Sequence, residues 1–322
     1  MAASTLELTN NQRSRSPLQD ALVQLLKNKA AVISGLFIIG LILIAIFADV
    51  VAPHPYDGAN FKFTDEPLFA TSDEGDFYLM GTDYLGRGNL SRTIFGTRIS
   101  LSVAFVASII SLIVGIIYGL VSGYGSATRD NMMMRFVDFL YGFPLIIFII
   151  LIQVIAKAYS SVEDVSGFAG MLVNLNNRMG GILFIFVALG LVNWLGMARI
   201  VRGQTLSIKN KEFVEAARSI GNTDRRIVQQ HVLPNILGPC IVFETLAIPG
   251  YILTEAFLSF IGLGANAPTP SWGIMISETV GALRTAPWEV FTPAIALTLT
   301  VLAFNFLGDG LRDAFDPRLR GQ

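Results

Sequence analysis

Three acids stand inside apolar runs of this chain: Asp138, Glu244 and Glu255. Ionisable groups at membrane depth are costly and normally face a bundle interior or a wet cavity, which makes all three candidate pathway or gate residues. Glu244 lies eleven positions before Glu255, roughly three helical turns, so the two share a face if the segment is helical. Two carboxylates on one face would attract a cationic group such as an amine. The plainer alternative for Glu255 is a bond to a neighbouring helix or backbone near the membrane interface. Asp138 follows Arg135 at i,i+3, a spacing at which the two would meet on one helix face as an interfacial pair.

Other chemistry finds little footing. His54 and His231 are the only histidines, and in the topology derived below they occupy opposite sides of the membrane. A histidine-based zinc centre or a Ser-His-Asp triad is therefore disfavoured. The single cysteine, Cys240, has no internal disulfide partner and reads as a small apolar packing residue. Gly81 and Gly86 have phosphate-loop spacing, but Arg87-Gly88 replaces the Lys-Ser/Thr pair that phosphate and magnesium require. These readings leave no catalytic, cofactor or metal residues and disfavour a membrane enzyme; the chain is expected not to be one.

The elements that must position the acids follow from composition. Hydrophobic residues make up 52% of the 322, charged residues 15%, and mean hydropathy is +0.58, too apolar for a water-soluble domain. A span needs ~20 apolar residues to cross ~30 Å of hydrocarbon. Six windows qualify: 30–52, 99–121, 136–158, 182–201, 236–260 and 290–308. Pro144, Pro249 and Pro293 lie inside them and should bend helices. Gly115 and Gly119 form a small-x-x-x-small face suited to close packing, within the chain or against another subunit.

Lys and Arg set the orientation, because cytoplasmic loops near the membrane carry the excess. With the N-terminus inside, sixteen of the 23 fall inside, including Lys27, Lys29, Arg129, Arg199, Arg202, Lys209 and Arg218. Both termini and the loop around Glu215 are thus expected in the cytoplasm, in a multi-pass protein of the cell membrane. Residues 1–29 form an N-terminal tail whose first ~20 residues read as a mobile segment or surface helix. The first span, 30–52, exceeds the usual 7–15-residue core of a cleaved signal and reads as an uncleaved anchor. Residues 53–98 form an outer loop with seven acids against four bases, its Pro, Gly and aromatic content suggesting an ordered excursion able to touch an outside partner. A five-helix core over 99–308 carries the inner loop 202–235, and 309–322 form a C-terminal tail. No basic block points to nucleic acid.

Within the inner loop, Phe213, Val214, Ala217 and Ile220 recur at helical spacing, and Gly221 is a natural C′ residue. Asn222 or Thr223 could cap a second helix with Asp224 at its positive end, and Pro234 with Pro239 perturbs entry into the next span. The segment is a bent helical hairpin. Ala216 and Ala217 lack bulk, so a partner's groove could close over that face while Glu215 offers a carboxylate to a partner's arginine.

Glu215-Ala216-Ala217, three residues, Gly221, nine residues, then His231-Val232-Leu233-Pro234 resembles the EAA loop of ABC-importer permeases. His231 in place of isoleucine is similar to the peptide and nickel branch. Further resemblance to the C-type permease subunits of the dipeptide, oligopeptide and nickel importers comes from Ala52-Pro53-His54-Pro55-Tyr56, Met80-Gly81-Thr82-Asp83-Tyr84-Leu85-Gly86-Arg87-Gly88, Ser122-Gly123-Tyr124, the Glu255 segment Leu253–Gly264, and Gly308–Asp313 with Asp316-Pro317-Arg318.

The resemblance implies an all-α integral membrane protein of about six transmembrane helices with the type I ABC importer (MetI-like) permease fold, in a prokaryotic inner membrane. It implies a heterodimer with a B-type permease, one or two cytoplasmic ATPases that bind ATP and Mg2+, and an extracytoplasmic substrate-binding protein. Glu215, Ala216, Ala217, Gly221, Leu233 and Pro234 would form the ATPase-coupling loop. Dipeptides or oligopeptides are the expected cargo, with nickel or another small solute as the alternative. An ion-coupled secondary transporter, a different class, predicts transport without ATPase partners; the lack of an internal repeat disfavours an inverted-repeat version.

Overall fold

The computed structural model describes residues 17–160, 162 and 167–315. The polar start of the expected N-terminal tail and the Asp316-Pro317-Arg318 segment lie outside the described residues. The described chain runs α1 (Pro17–Lys27), α2 (Lys29–Ile46), α3 (Ala48–Val51), a two-stranded antiparallel ribbon of β1 (Ala70–Thr71) and β2 (Phe77–Tyr78), then α4 (Asn89–Tyr124). It continues through α5 (Ala127–Tyr141), α6 (Leu145–Ser160), α7 (Gly167–Arg178), α8 (Leu183–Ile208), α9 (Glu212–Ser219) and α10 (Asp224–Ile227). A π-turn over Val228–Val232 leads into α11 (Leu233–Phe260), followed by α12 (Trp272–Thr279) and α13 (Pro287–Phe315).

Five helical stretches are long and apolar enough to cross a membrane, and the α5–α6 pair, bent by 73°, makes a sixth if taken as one span. The expected window 136–158 is therefore not one helix. Pro144 disfavours helical backbone at Phe143, and the chain breaks between Tyr141 and Leu145. Other boundaries also shift. The first span ends at Ile46 rather than at residue 52, the second begins at Asn89 inside the expected outer loop, and α13 continues to Phe315 through the start of the expected tail. Polar side chains start several elements: Asn28 accepts from the Ala31 N–H at 3.2 Å before α2, and Ser271 accepts from the Ile274 N–H at 3.4 Å before α12.

The 36-residue α4 organises the bundle. Gly115, Gly119 and Gly123 lie four apart on one face, and a Cβ at these positions would stand 2.5 Å from Met197, 2.6 Å from Val201 and 2.9 Å from Thr205. The offset is 82 at each step, so α4 and α8 run parallel and in register. The small-residue face packs within this chain. Against α11 the pairing is antiparallel. Ser100 meets Glu255 and Ser111 meets Glu244, both pairs summing to 355. The main core lies around these three helices, with Leu101, Ala104, Ala107, Ile185, Leu189, Ile252 and Phe304 buried together. Ile33, Leu36, Ile295, Leu299 and Phe306 point outward from α2 and α13, as residues facing lipid or a partner would.

Candidate functional site

At the end of the bundle where α4 and α8 terminate, the chain forms the expected bent hairpin. Helix α9 buries Val214 and Ala217 in a cluster with Met197, Val201, Ile227, Val232, Ile236 and Cys240. Phe213, Ala216 and Ile220 remain exposed, Ile220 at 81%. The four apolar positions read as one face are therefore split. Ala217 faces the bundle, and the outward stripe is Phe213, Ala216 and Ile220 at i, i+3 and i+7, with the exposed Glu215 beside it. Ala216 leaves that stripe low at its centre.

Gly221 closes α9 at φ +85, the left-handed region that favours glycine. The N–H of Asn222 bonds the Ala217 carbonyl at 3.2 Å, giving a Schellman-type end. Thr223 stands at the start of α10 without a side-chain cap. The π-turn widens the backbone just before Pro234, whose ring would crowd a regular helix. Leu233 is half-buried and Pro234 exposed. His231, the departure from the general motif, lies beside Phe213 with ring centroids 6.3 Å apart.

Next to the hairpin, charged groups tie the helix ends together. Arg202 of α8 forks onto Asp130 of α5 with both nitrogens at 2.6 Å, and Ser122 of α4 donates to the same carboxylate at 2.6 Å. Lys209 Nζ donates to the Gly123 carbonyl at 2.8 Å. Asp138 is held by Arg199 at 2.6 Å, not by Arg135, and the Arg199 guanidinium lies over the Tyr141 ring at 4.1 Å. The expected i,i+3 pair gives way because α8 delivers a cation that also stacks on Tyr141. The Asp138 side chain is 64% exposed on the surface of this subunit.

Glu244 and Glu255 are both buried and both bonded by hydroxyls. Ser111 Oγ donates to Glu244 Oε2 at 3.0 Å and also reaches the Asn193 carbonyl at 3.3 Å. Ser100 Oγ donates to Glu255 Oε2 at 2.9 Å and Ser259 Oγ to Oε1 at 2.7 Å. The two acids thus lie on one face of α11, as their spacing requires, and that face packs on α4.

At the opposite end, the Gly81–Gly88 segment has a structural explanation. Asp83 Oδ1 accepts from the N–H groups of Leu85 and Arg87, both at 2.9 Å, while Oδ2 accepts from Arg87 Nε at 2.7 Å and from Arg92. Arg87 and Arg92 continue to Glu278 of α12 at 3.1 and 2.9 Å. Gly81 and Gly86 have positive φ, and a Cβ on either would strike the backbone of Glu66 or Asn60. The loop is an interlocked turn that anchors α4 and α12. Nearby, the hydrogen bond from Arg98 holds the Asp49 carboxyl below its ordinary range. Glu278 lies 191 and 186 positions from Arg87 and Arg92, too far along the chain to be read from spacing.

Comparison with known proteins agrees with this architecture. Residues 112–321 match the family described as binding-protein-dependent transport system inner membrane component, and residues 16–70 match the N-terminal TM domain of oligopeptide transport permease C. The oligopeptide transport system permease protein OppC of Haemophilus influenzae is 42% identical over 306 residues, 95% of this chain and 90% of that one. The dipeptide transport system permease protein DppC of Bacillus subtilis is 41% identical over 310 residues, 95% of this chain and 88% of that one. A solved structure of the MetNI methionine ABC transporter in an inward-facing conformation superposes with a TM-score of 0.51 at 17% identity, over 70% of this chain and 97% of that one. That likeness is one of fold. The parallel α4–α8 pair and the hairpin at its end thus sit in a permease scaffold, and the chain belongs to the binding-protein-dependent transport system inner membrane component family.

Proposed function

We infer that this permease forms half of the translocation pathway of an ATP-driven importer, in complex with a B-type permease, one or two ABC ATPases and an extracytoplasmic binding protein. The observation that carries the reading is the stripe of Phe213, Ala216 and Ile220 beside Glu215, exposed among the described residues on a hairpin seated on α4, α8 and α11. Apolar residues around a low centre suit a groove on another protein, and Glu215 suits its arginine. The Lys and Arg distribution supports placing this hairpin and both termini in the cytoplasm. ATP binding would draw the paired ATPases together, carry the hairpins with them and turn the pathway outward; hydrolysis would reset it.

The names of the relatives support dipeptides or oligopeptides as cargo. Uptake of labelled peptide and of nickel by a strain lacking this subunit, with and without the restored gene, tests that choice. Loss of nickel uptake alone would replace the peptide assignment. For coupling, Glu215→Ala and Gly221→Val are expected to leave the complex assembled and to lower solute moved per ATP. The valine disfavours a left-handed backbone by about 1–2 kcal/mol, and nothing lies within 4 Å of its Cβ position. Wild-type coupling in both variants would remove the docking assignment. Recovery of this chain from detergent without an ATPase would do so more directly.

Asp138, Glu244 and Glu255 stay in the proposal as pathway or gate residues, the two glutamates acting through the α4–α11 contact. Glu244→Gln and Glu255→Gln each keep a carbonyl acceptor for serine, so assembly should persist while uptake falls. Normal uptake in both variants would reject a role in transport.

A further inference from the structure

The turn at Gly221 presents a mechanical problem. Nothing lies within 4 Å of the position a Cβ would take at Gly221, and Ile220 and Gly221 are exposed. Packing at the turn itself therefore does little to fix the angle between α9 and α10. A lever that transmits displacement needs that angle held.

One side chain spans it. Tyr124, the last residue of α4, donates its hydroxyl to Asp224 Oδ1 at 3.0 Å, and Arg218 Nη2 donates to the same oxygen of Tyr124 at 3.2 Å. Arg218 stands three residues before Gly221 and Asp224 three residues after it, so one hydroxyl straddles the turn. The Tyr124 ring packs on the cluster that holds Val214, Ala217 and Ile227. The adjoining residues Ser122 and Gly123 are fastened to Asp130 and Lys209. The support behind the hydroxyl is thus the end of α4 itself, already joined to α5 and α8.

We propose that Tyr124 is a positioning residue for coupling: its hydroxyl sets the α9–α10 angle and makes the end of α4 the element that receives the hairpin's displacement. This rests on the docking role of the hairpin and adds the place where force enters the bundle. Arg218 and Asp224 are the two arms of the contact. The ring packs on the apolar cluster, and the hydroxyl joins the two polar arms across the turn.

The test separates these two parts. The complete complex is reconstituted in proteoliposomes, and uptake of radiolabelled trialanine is measured against ATP hydrolysed. Tyr124→Phe keeps the ring and removes both bonds. It should leave ATPase co-purification and thermal stability near wild type while lowering peptide moved per ATP by roughly three- to tenfold, the worth of one or two ordinary hydrogen bonds. Arg218→Met combined with Asp224→Ala, neither of which can bond the hydroxyl, should give a comparable loss with Tyr124 intact, and adding Tyr124→Phe to that pair should lower the ratio little further. An unchanged ratio in Tyr124→Phe, or full additivity of the combined variant, overturns the proposal. Equal losses of stability, assembly and uptake in Tyr124→Phe also overturn it, because they mark a folding role. If the unmodified chain binds no ATPase, the docking role itself falls, an outcome visible before any variant is made.

Discussion

Gly119→Val will force α4 and α8 apart and give a large loss of stability. A Cβ there stands 2.6 Å from both the Ala198 carbonyl and Val201 Cβ, and 2.7 Å from Val201 Cγ1. Two of these atoms belong to a side chain, but the carbonyl is helical backbone and has little room to move. Overpacking typically costs 1–3 kcal/mol, and a backbone obstacle puts this site at about 3 kcal/mol or above. The cost recurs along the register because Gly115 and Gly123 depend on the same interaxial distance. Thermal unfolding of the purified chain in detergent should show the loss as a lowered Tm. Gly203→Ala is the matching control, because nothing lies within 4 Å of its Cβ position and alanine favours a helix by up to ~1 kcal/mol. Equal Tm values for Gly119→Val and wild type would refute the parallel close-packed pair.

Arg92→Met should have a comparable effect at the other end of α4. The Arg92 side chain is 1% exposed and bonds both Asp83, which is fully buried, and Glu278. Removing one partner from a buried ion network leaves an uncompensated charge, with typical costs of 3–5 kcal/mol. Arg87 would remain on Asp83 and hold the loss toward the lower figure. The Gly81–Gly88 turn should loosen before the helices do, so protease cleavage in that segment should precede global unfolding. Asp83→Asn added to Arg92→Met should recover part of the Tm, because it deletes the stranded charge. If the double variant is no more stable than the sum of the two single losses predicts, the two residues are not coupled as the geometry indicates.

How much of this was legible in the chain depends on the distance over which each feature is decided. The spans were legible because apolar runs of the required length are local. Gly221 as the end of α9 was equally plain, since the left-handed position follows from the turn itself. The common face of Glu244 and Glu255 also follows from helical geometry, but their partners Ser111 and Ser100 lie 133 and 155 positions away. Local spacing misled at Arg135, because an i,i+3 pair is worth only a few tenths of a kcal/mol and Arg199 approaches from another helix. Helical periodicity identified the apolar positions of α9 but could not say which stripe turns inward, and so grouped Ala216 with Ala217. The break at Pro144 was visible as a bend. Its size, 73°, depends on where α5 is tethered by Arg202 and Arg199.

The two hydroxyl-to-carboxylate rungs between α4 and α11 constrain how the subunit can deform. Slipping one helix past the other by a single residue, about 1.5 Å, would unseat both rungs at once, and neither serine has a second carboxylate one step along to take up the bond. Slip along this seam therefore disturbs both bonds together. The α4–α8–α11 slab is thus braced against sliding, and the break between Tyr141 and Leu145 lies outside it.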